Sequence, residues 1–182
     1  MDNEFSQPAP PDPRNWWIDK MYLQGAFGAA RHSTDPNTQV GAMLVIPTQG
    51  PLVSSWNFVP PAISSAGYPR KPEHKNYCTE HAERAVIFKA LQNGLPVKHL
   101  HLYCTWAACA ECARAIIDFG ISRVVTSSVL LERTPDRWRE SVLQGLSMMR
   151  DSGVQVAGWR GEAHIPVPIR FNGSVIDEGE LQ

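Results

Sequence analysis

The sequence predicts an α/β domain: three layers, α/β/α, around a mixed five-stranded sheet whose last two strands run parallel. Three features carry this. Short apolar runs of strand character alternate with segments of helical periodicity. The runs at 40–46 and 52–58 are joined only by Pro47-Thr48-Gln49-Gly50-Pro51, a link short enough for an antiparallel pair. The runs at 123–127 and 154–159 flank a helical segment, and a helical crossover joins parallel strands.

Each element follows in chain order. Residues 1–13 carry Pro8, Pro10, Pro11 and Pro13 among polar and acidic residues and read as a flexible, extended arm. Residues 15–31 are helical, with Trp17 and Met21 and a small-residue surface of Gly25, Ala26 and Ala29 suited to close packing. The strand at 40–46 is almost continuously apolar, which implies burial on both faces. The strand at 52–58 follows.

Residues 59–77 form a long loop rich in Pro60, Pro61, Pro69 and Pro72, and loops of this length are commonly functional. It leads into a helix at 79–93 that Gly94 closes, so it is expected to border a pocket. A strand at 101–105 precedes a helix at 109–119, closed by Gly120. His99 and His101 alternate there and should share a partly exposed face, while Cys104 reads as a small core residue. The strand at 123–127 leads to a helix at 136–150, with Thr134 as N-cap and Pro135 at its first position, and then to the last strand at 154–159. The domain spans 14–160, and 161–182 is a C-terminal extension.

Two short motifs carry chemistry: His81-Ala82-Glu83 and Cys109-Ala110-Glu111-Cys112. Together they offer three Zn²⁺ ligands, His81, Cys109 and Cys112, and one spare carboxylate, Glu83. Three protein ligands leave the fourth tetrahedral position open to water, the mark of a catalytic site. Zinc brings the pKa of such a water to roughly 7. A carboxylate beside it can then carry protons to a departing amine, so Glu83 is the candidate catalytic group. Each motif opens a helix, and helix N-termini favour thiolate over thiol. The pattern matches the H-x-E…P-C-x-x-C signature of zinc base deaminases, except that Ala108 replaces the proline.

The wider pattern resembles the cytidine/deoxycytidylate deaminase family. Ser33-Thr34-Asp35-Pro36-Asn37-Thr38-Gln39-Val40-Gly41-Ala42, Trp56-Asn57, His81-Ala82-Glu83 and Cys109-x-x-Cys112 followed by Ala113-Arg114-Ala115-Ile116-Ile117 carry the resemblance over roughly residues 15–159. The deoxycytidylate (dCMP) branch is the most similar. The resemblance implies a cytidine-deaminase-like fold, Zn²⁺ at His81, Cys109 and Cys112, proton shuttling by Glu83, and a sugar contact from Asn57. It also implies a homo-oligomer, often a hexamer. Two departures stand out. Ser55-Trp56-Asn57-Phe58 replaces the branch's Gly-Tyr-Asn-Gly, and Ala85 replaces an asparagine. These bear on the nucleotide chosen and not on the metal chemistry.

The other expected substrate contacts are Trp106, placed to stack on a base, and Arg70, Lys71 and Lys75, placed by the long loop to meet a phosphate. His74 and Cys78 lack a complete ligand set for a second zinc. Five tryptophans, Trp16, Trp17, Trp56, Trp138 and Trp159, also argue for an interface between copies.

Composition narrows the classes. Seventeen basic and eighteen acidic residues leave a net charge of −1. No basic run is present, so the electrostatic footprint of a nucleic-acid binder is missing. No apolar stretch approaches the ~20 residues of a membrane span. Four cysteines, two in a metal motif, suit a reducing cytoplasm. The expected activity is conversion of a small nucleotide, dCMP to dUMP and ammonia. The alternatives are an editing deaminase acting on a base in RNA or DNA, and a deaminase of a purine nucleotide, guanine or another small heterocycle.

Overall fold

Short strands, the central ones buried on both faces, build the sheet in the computed structural model, which describes residues 8–10, 12–161 and 168–177. The strands are β1 (Gly41–Ile46), β2 (Gly50–Trp56), β3 (His101–Cys104), β4 (Arg123–Ser127) and β5 (Gln155–Trp159), in the spatial order β2-β1-β3-β4-β5. β1 pairs antiparallel with both β2 and β3, and β3, β4 and β5 pair in parallel. The expected mixed sheet and its parallel final pair are present.

The helices are α1 (Trp16–Ala30), α2 (Pro61–Ser65), α3 (Lys75–Cys78), α4 (Ala82–Gln92), α5 (Ala110–Asp118), α6 (Ser128–Glu132) and α7 (Asp136–Asp151). Successive strand residues point to opposite faces. Leu44, Leu102, Cys104 and Val124 enter one core with α4, α5 and α7. Val45, Tyr103 and Val125 enter the other with α1 and α6. Cys104 is a buried residue, as expected. Gly41 permits the approach of α1, since a Cβ there would lie 2.0 Å from the Ala26 carbonyl oxygen.

Several local expectations change. Thr134 does not cap α7; its hydroxyl accepts the Trp106 indole N–H at 3.0 Å, and Pro135 takes the cap position. His99 does not share a face with His101. It sits before β3 with φ +65°, and its N–H donates to the Gly120 carbonyl, so the chain turns there. The helix expected from 109 starts one residue later, because Cys109 is the N-cap of α5. Of the N-terminal arm, Ala9 bridges Ala157 of β5 and Pro8 is buried, while 1–7 and 11 lie outside the described residues.

Part of the C-terminal extension forms a hairpin that the sequence reading missed: β6 (Ile169–Phe171) and β7 (Ser174–Ile176). Ile169, Phe171 and Ile176 are buried in the core on the α1 side. The hairpin turn, Asn172-Gly173, has positive φ at both residues, +50° and +84°. That is the geometry for which Asn-Gly is favoured in two-residue hairpins.

Candidate active site

Two helix tips meet at the centre of the site. His81 is the N-cap of α4 and Glu83 its second residue; Cys109 is the N-cap of α5 and Cys112 its third. At a cap the backbone is still extended, so residues two or three apart can converge past the helix end. α7 holds the second tip in place. Gly145 lets it pass so close that a Cβ would lie 2.5 Å from the Ala108 oxygen and 2.9 Å from the Cys109 carbonyl carbon. The Ala110 N–H, at the tip itself, donates to Ser141 Oγ of α7.

The donor set fits a tetrahedral ion. His81 Nδ1 lies 3.5 Å from Cys109 Sγ and 3.4 Å from Cys112 Sγ. The three ligand atoms all lie within 4.8 Å of one another. Ordinary Zn–N and Zn–S bonds at a tetrahedral angle place N and S about 3.6 Å apart. Among the described residues this is the one His/Cys/Asp/Glu group that converges so. His74 and Cys78 form no second cluster of this kind.

The electrostatics of these side chains point the same way. A hydrogen bond from the Cys112 thiol, together with His81 and against the cost of burial, brings the Cys109 thiol down to about 4. Burial works against the charged form of His81, but the Cys109 thiolate and the Glu83 carboxylate raise it to about 9. Glu83 is only 4% exposed. Burial pushes it up to about 7, with His81 opposing and Cys109 adding. A carboxyl group near neutrality can both take and give a proton.

A cavity of about 380 Å³ opens above these groups. This is within the size range of small-ligand pockets. His81, Glu83, Cys109, Trp106, Trp138 and Asn57 line it. Edge-on ring contacts link His81 to Trp138 at 5.7 Å, Trp138 to Trp106 at 6.2 Å, and Trp106 to Phe171 of the hairpin at 5.1 Å. Asn57 spends most of its amide on the protein. Its Oδ1 accepts the Val40 N–H and its Nδ2 donates to the Thr38 carbonyl, both at 2.8 Å. It therefore shapes the 35–39 wall and retains one Oδ1 lone pair for a ligand.

The long loop borders the cavity, with Pro72, Glu73, Lys75 and Asn76 in its lining. Its ends are tied by a bridge between Phe58 and Glu80. Lys75 reaches the cavity with its ammonium 2.8 Å from Asp35. Arg70 and Lys71 do not reach it: both are exposed, and Arg70 stacks on Tyr68. The turn Pro72–His74 and α3 direct the following residues inward and leave these two outside. Arg137, Trp138, Asp35 and Asn37 line the cavity and were missed. For Asp35 a signal existed. It opens Asp-Pro-Asn-Thr, and its Oδ1 accepts the N–H groups of Asn37 and Thr38, a turn that aspartate favours.

Among the described residues, no helix is long and apolar enough to cross a membrane. The model of the cytidine and deoxycytidylate deaminase zinc-binding region matches residues 17–128. A deaminase encoded in the luxG 3′ region of Aliivibrio fischeri is 33% identical over 141 residues, covering 75% of this chain and 90% of that protein. Human deoxycytidylate deaminase is 32% identical over 115 residues, covering 60% of this chain and 64% of its own length. The dCMP deaminase of cyanophage S-TIM5, solved with dCMP and dUMP, superposes with a TM-score of 0.60 at 20% identity. That superposition covers 81% of this chain and 98% of the phage protein, and it shows the shared fold. With His81, Cys109 and Cys112 converging at two helix tips, the chain belongs to the cytidine and deoxycytidylate deaminase family of zinc-dependent enzymes.

Proposed function

We propose that the protein hydrolyses the exocyclic amine of a pyrimidine nucleotide, converting dCMP to dUMP and ammonia. The observation that carries this is the buried Glu83 carboxyl beside the His81, Cys109 and Cys112 donors in one cavity. The likeness to relatives named deoxycytidylate deaminase supports the choice of base and sugar.

His81 Nδ1 and the two Sγ atoms would hold Zn²⁺, which when bound supplies a nucleophilic water at neutral pH. Glu83 would take a proton from the attacking water and pass protons to the ring nitrogen and the leaving amine, so that one water is consumed and one ammonia released. Trp106 and Trp138 offer ring faces and edges to the base. Asn57 Oδ1 offers an acceptor to a sugar hydroxyl. Arg70 and Lys71 have no part in this reading, and Lys75 acts with Asp35 to hold the wall.

Freshly purified protein is expected to carry one Zn²⁺ per chain. Elemental analysis well below one equivalent, with no gain on adding zinc, would contradict the ligand assignment. A panel of nucleosides and their mono- and triphosphates, read by ammonia release, is expected to show dCMP turned over much faster than deoxycytidine at equal low concentration. Faster reaction of a purine nucleotide or guanine would move the substrate class. Reaction only within RNA or DNA would make this an editing enzyme.

We also propose a homo-oligomer. Of the five tryptophans, Trp159 belongs to the chain's own core, Trp138 faces the cavity and Trp56 stacks with His32. Trp17 is 72% exposed, next to exposed Ile18 and Met21. Such a patch is typical of an interface. A sedimentation mass near that of one chain across micromolar concentrations would exclude it.

A further inference from the structure

The cavity wall is braced from behind by an element outside the matched zinc-binding region. We propose that the tip of the β6–β7 hairpin holds the active-site wall in place. Asn172 acts there as a positioning residue that fixes the Arg137 guanidinium at the cavity rim, where Arg137 donates to the phosphomonoester of the nucleotide. This rests on the reading above as a deaminase of a nucleotide.

The hairpin is anchored on both sides. Three of its residues are buried against the α1 core. Its tip is stitched to the cavity wall: Gly173 N–H donates to the Asn37 carbonyl at 2.8 Å, and Asn172 N–H to Thr38 Oγ1 at 3.2 Å. Gln39 N–H donates to the Arg170 carbonyl, and Arg170 N–H to Gln39 Oε1, each at 2.8 Å. Asn37, Thr38 and Arg137 all line the cavity. From this held tip, Asn172 Oδ1 accepts a hydrogen bond from Arg137 Nη2 at 2.8 Å.

Charge selects Arg137 over the other cation in the lining. The Lys75 ammonium is answered by the Asp35 carboxylate at 2.8 Å, and that carboxylate is 6% exposed. Arg137, among the described residues, is held by a neutral amide oxygen. Glu73, also in the lining, makes no ion pair with it among the described residues. A neutral acceptor orients the guanidinium without cancelling its charge and leaves the remaining N–H donors for a ligand. A planar fork of this kind matches phosphate in a two-point contact. An exposed arginine would ordinarily lose side-chain freedom on binding, and the bond to Asn172 removes part of that loss beforehand.

The test uses the zinc-loaded full chain with Arg137→Gln, Asn172→Gly and Asn172→Asp. Glycine keeps the positive φ of the turn and its backbone N–H and removes the side chain. Arg137→Gln is expected to reduce the preference for dCMP over deoxycytidine in kcat/KM by roughly 10- to 100-fold, the loss typical of a charge-assisted hydrogen bond. Asn172→Gly should reduce that preference by about 2- to 10-fold, through KM and not kcat. Asn172→Asp retains the bond but places a carboxylate on the guanidinium, and it should weaken dCMP as well.

Tryptophan fluorescence with inorganic phosphate gives a second reading, since Trp106 and Trp138 line the cavity. Saturable quenching in the wild type that Arg137→Gln abolishes supports the site whatever base is deaminated. An unchanged substrate preference in Arg137→Gln overturns the proposal, as does an equal fall for both substrates. Neither of those results would touch deamination itself. Absence of any deamination, with the phosphate signal intact, would remove the assigned reaction and leave the anion site standing.

Discussion

Glu83→Gln is expected to lower turnover by about 10²–10⁴-fold, the range for a lost acid–base group, while zinc content stays at the wild-type level. Glutamine keeps the size and shape of the side chain but cannot accept a proton. It sits at the second residue of α4, off the ligand set, so His81, Cys109 and Cys112 keep their positions. Burial already works against the charged form of Glu83 and raises its pKa to about 7. A neutral amide should therefore be tolerated, with a melting temperature equal to or above that of the wild type. Activity and elemental zinc measured on the same sample separate loss of proton transfer from loss of metal. Substantial activity in Glu83→Gln would remove Glu83 from the mechanism. Glu111 could not replace it: its side chain is 57% exposed, pairs with Arg84 at 2.9 Å and does not line the cavity.

What was legible in the sequence follows from where the information lies. The candidate ligands and Glu83 sit within one three-residue and one four-residue stretch, each opening a helix, so spacing alone brings their side chains past a helix end. The sheet order follows from link lengths and one helical crossover. The cation at the cavity rim was not legible in this way. Arg70 and Lys71 were expected because they precede the metal helix in sequence, but a short helical turn at Pro72–His74 directs the next residues inward and leaves these two in solvent. The residue that reaches the rim is Arg137, and its partner Asn172 lies 35 positions further on. The signal for the hairpin was present, since Asn-Gly between Ile-Arg-Phe and Ser-Val-Ile is a strong two-residue turn pattern. Its destination could not be read, because the contacts to Asn37, Thr38 and Arg137 are set by packing on α1.

The largest stability effect is expected far from the cavity, at Asp19. This carboxylate is fully buried under α1, and Arg123 of β4 grips both of its oxygens at 2.7 Å. Tyr103 of β3 donates its hydroxyl to the same group at 2.8 Å and accepts from Arg123 Nη1 at 3.2 Å. Burial, first, and the Asp19 carboxylate, second, raise the Tyr103 pKa and keep it a donor. Partners 104 residues apart leave no mark in the sequence. Asp19→Ala would leave a guanidinium buried without its counter-ion, and breaking such pairs costs about 3–5 kcal/mol. For a chain of this length that corresponds to a fall in Tm of roughly 6–20 °C. The double variant Asp19→Leu with Arg123→Met should recover most of the loss, because apolar replacement of both ions removes the orphaned charge. Urea unfolding of the single and double variants measures this. A single variant within about 1 kcal/mol of the wild type would mean that water or another side chain reaches Arg123 and that the pair does little to hold α1 on the sheet. If α1 is held as described, zinc content and kcat at low temperature should be unchanged in the double variant, since the helix tips that carry His81 and Cys109 lie on the opposite face of the sheet.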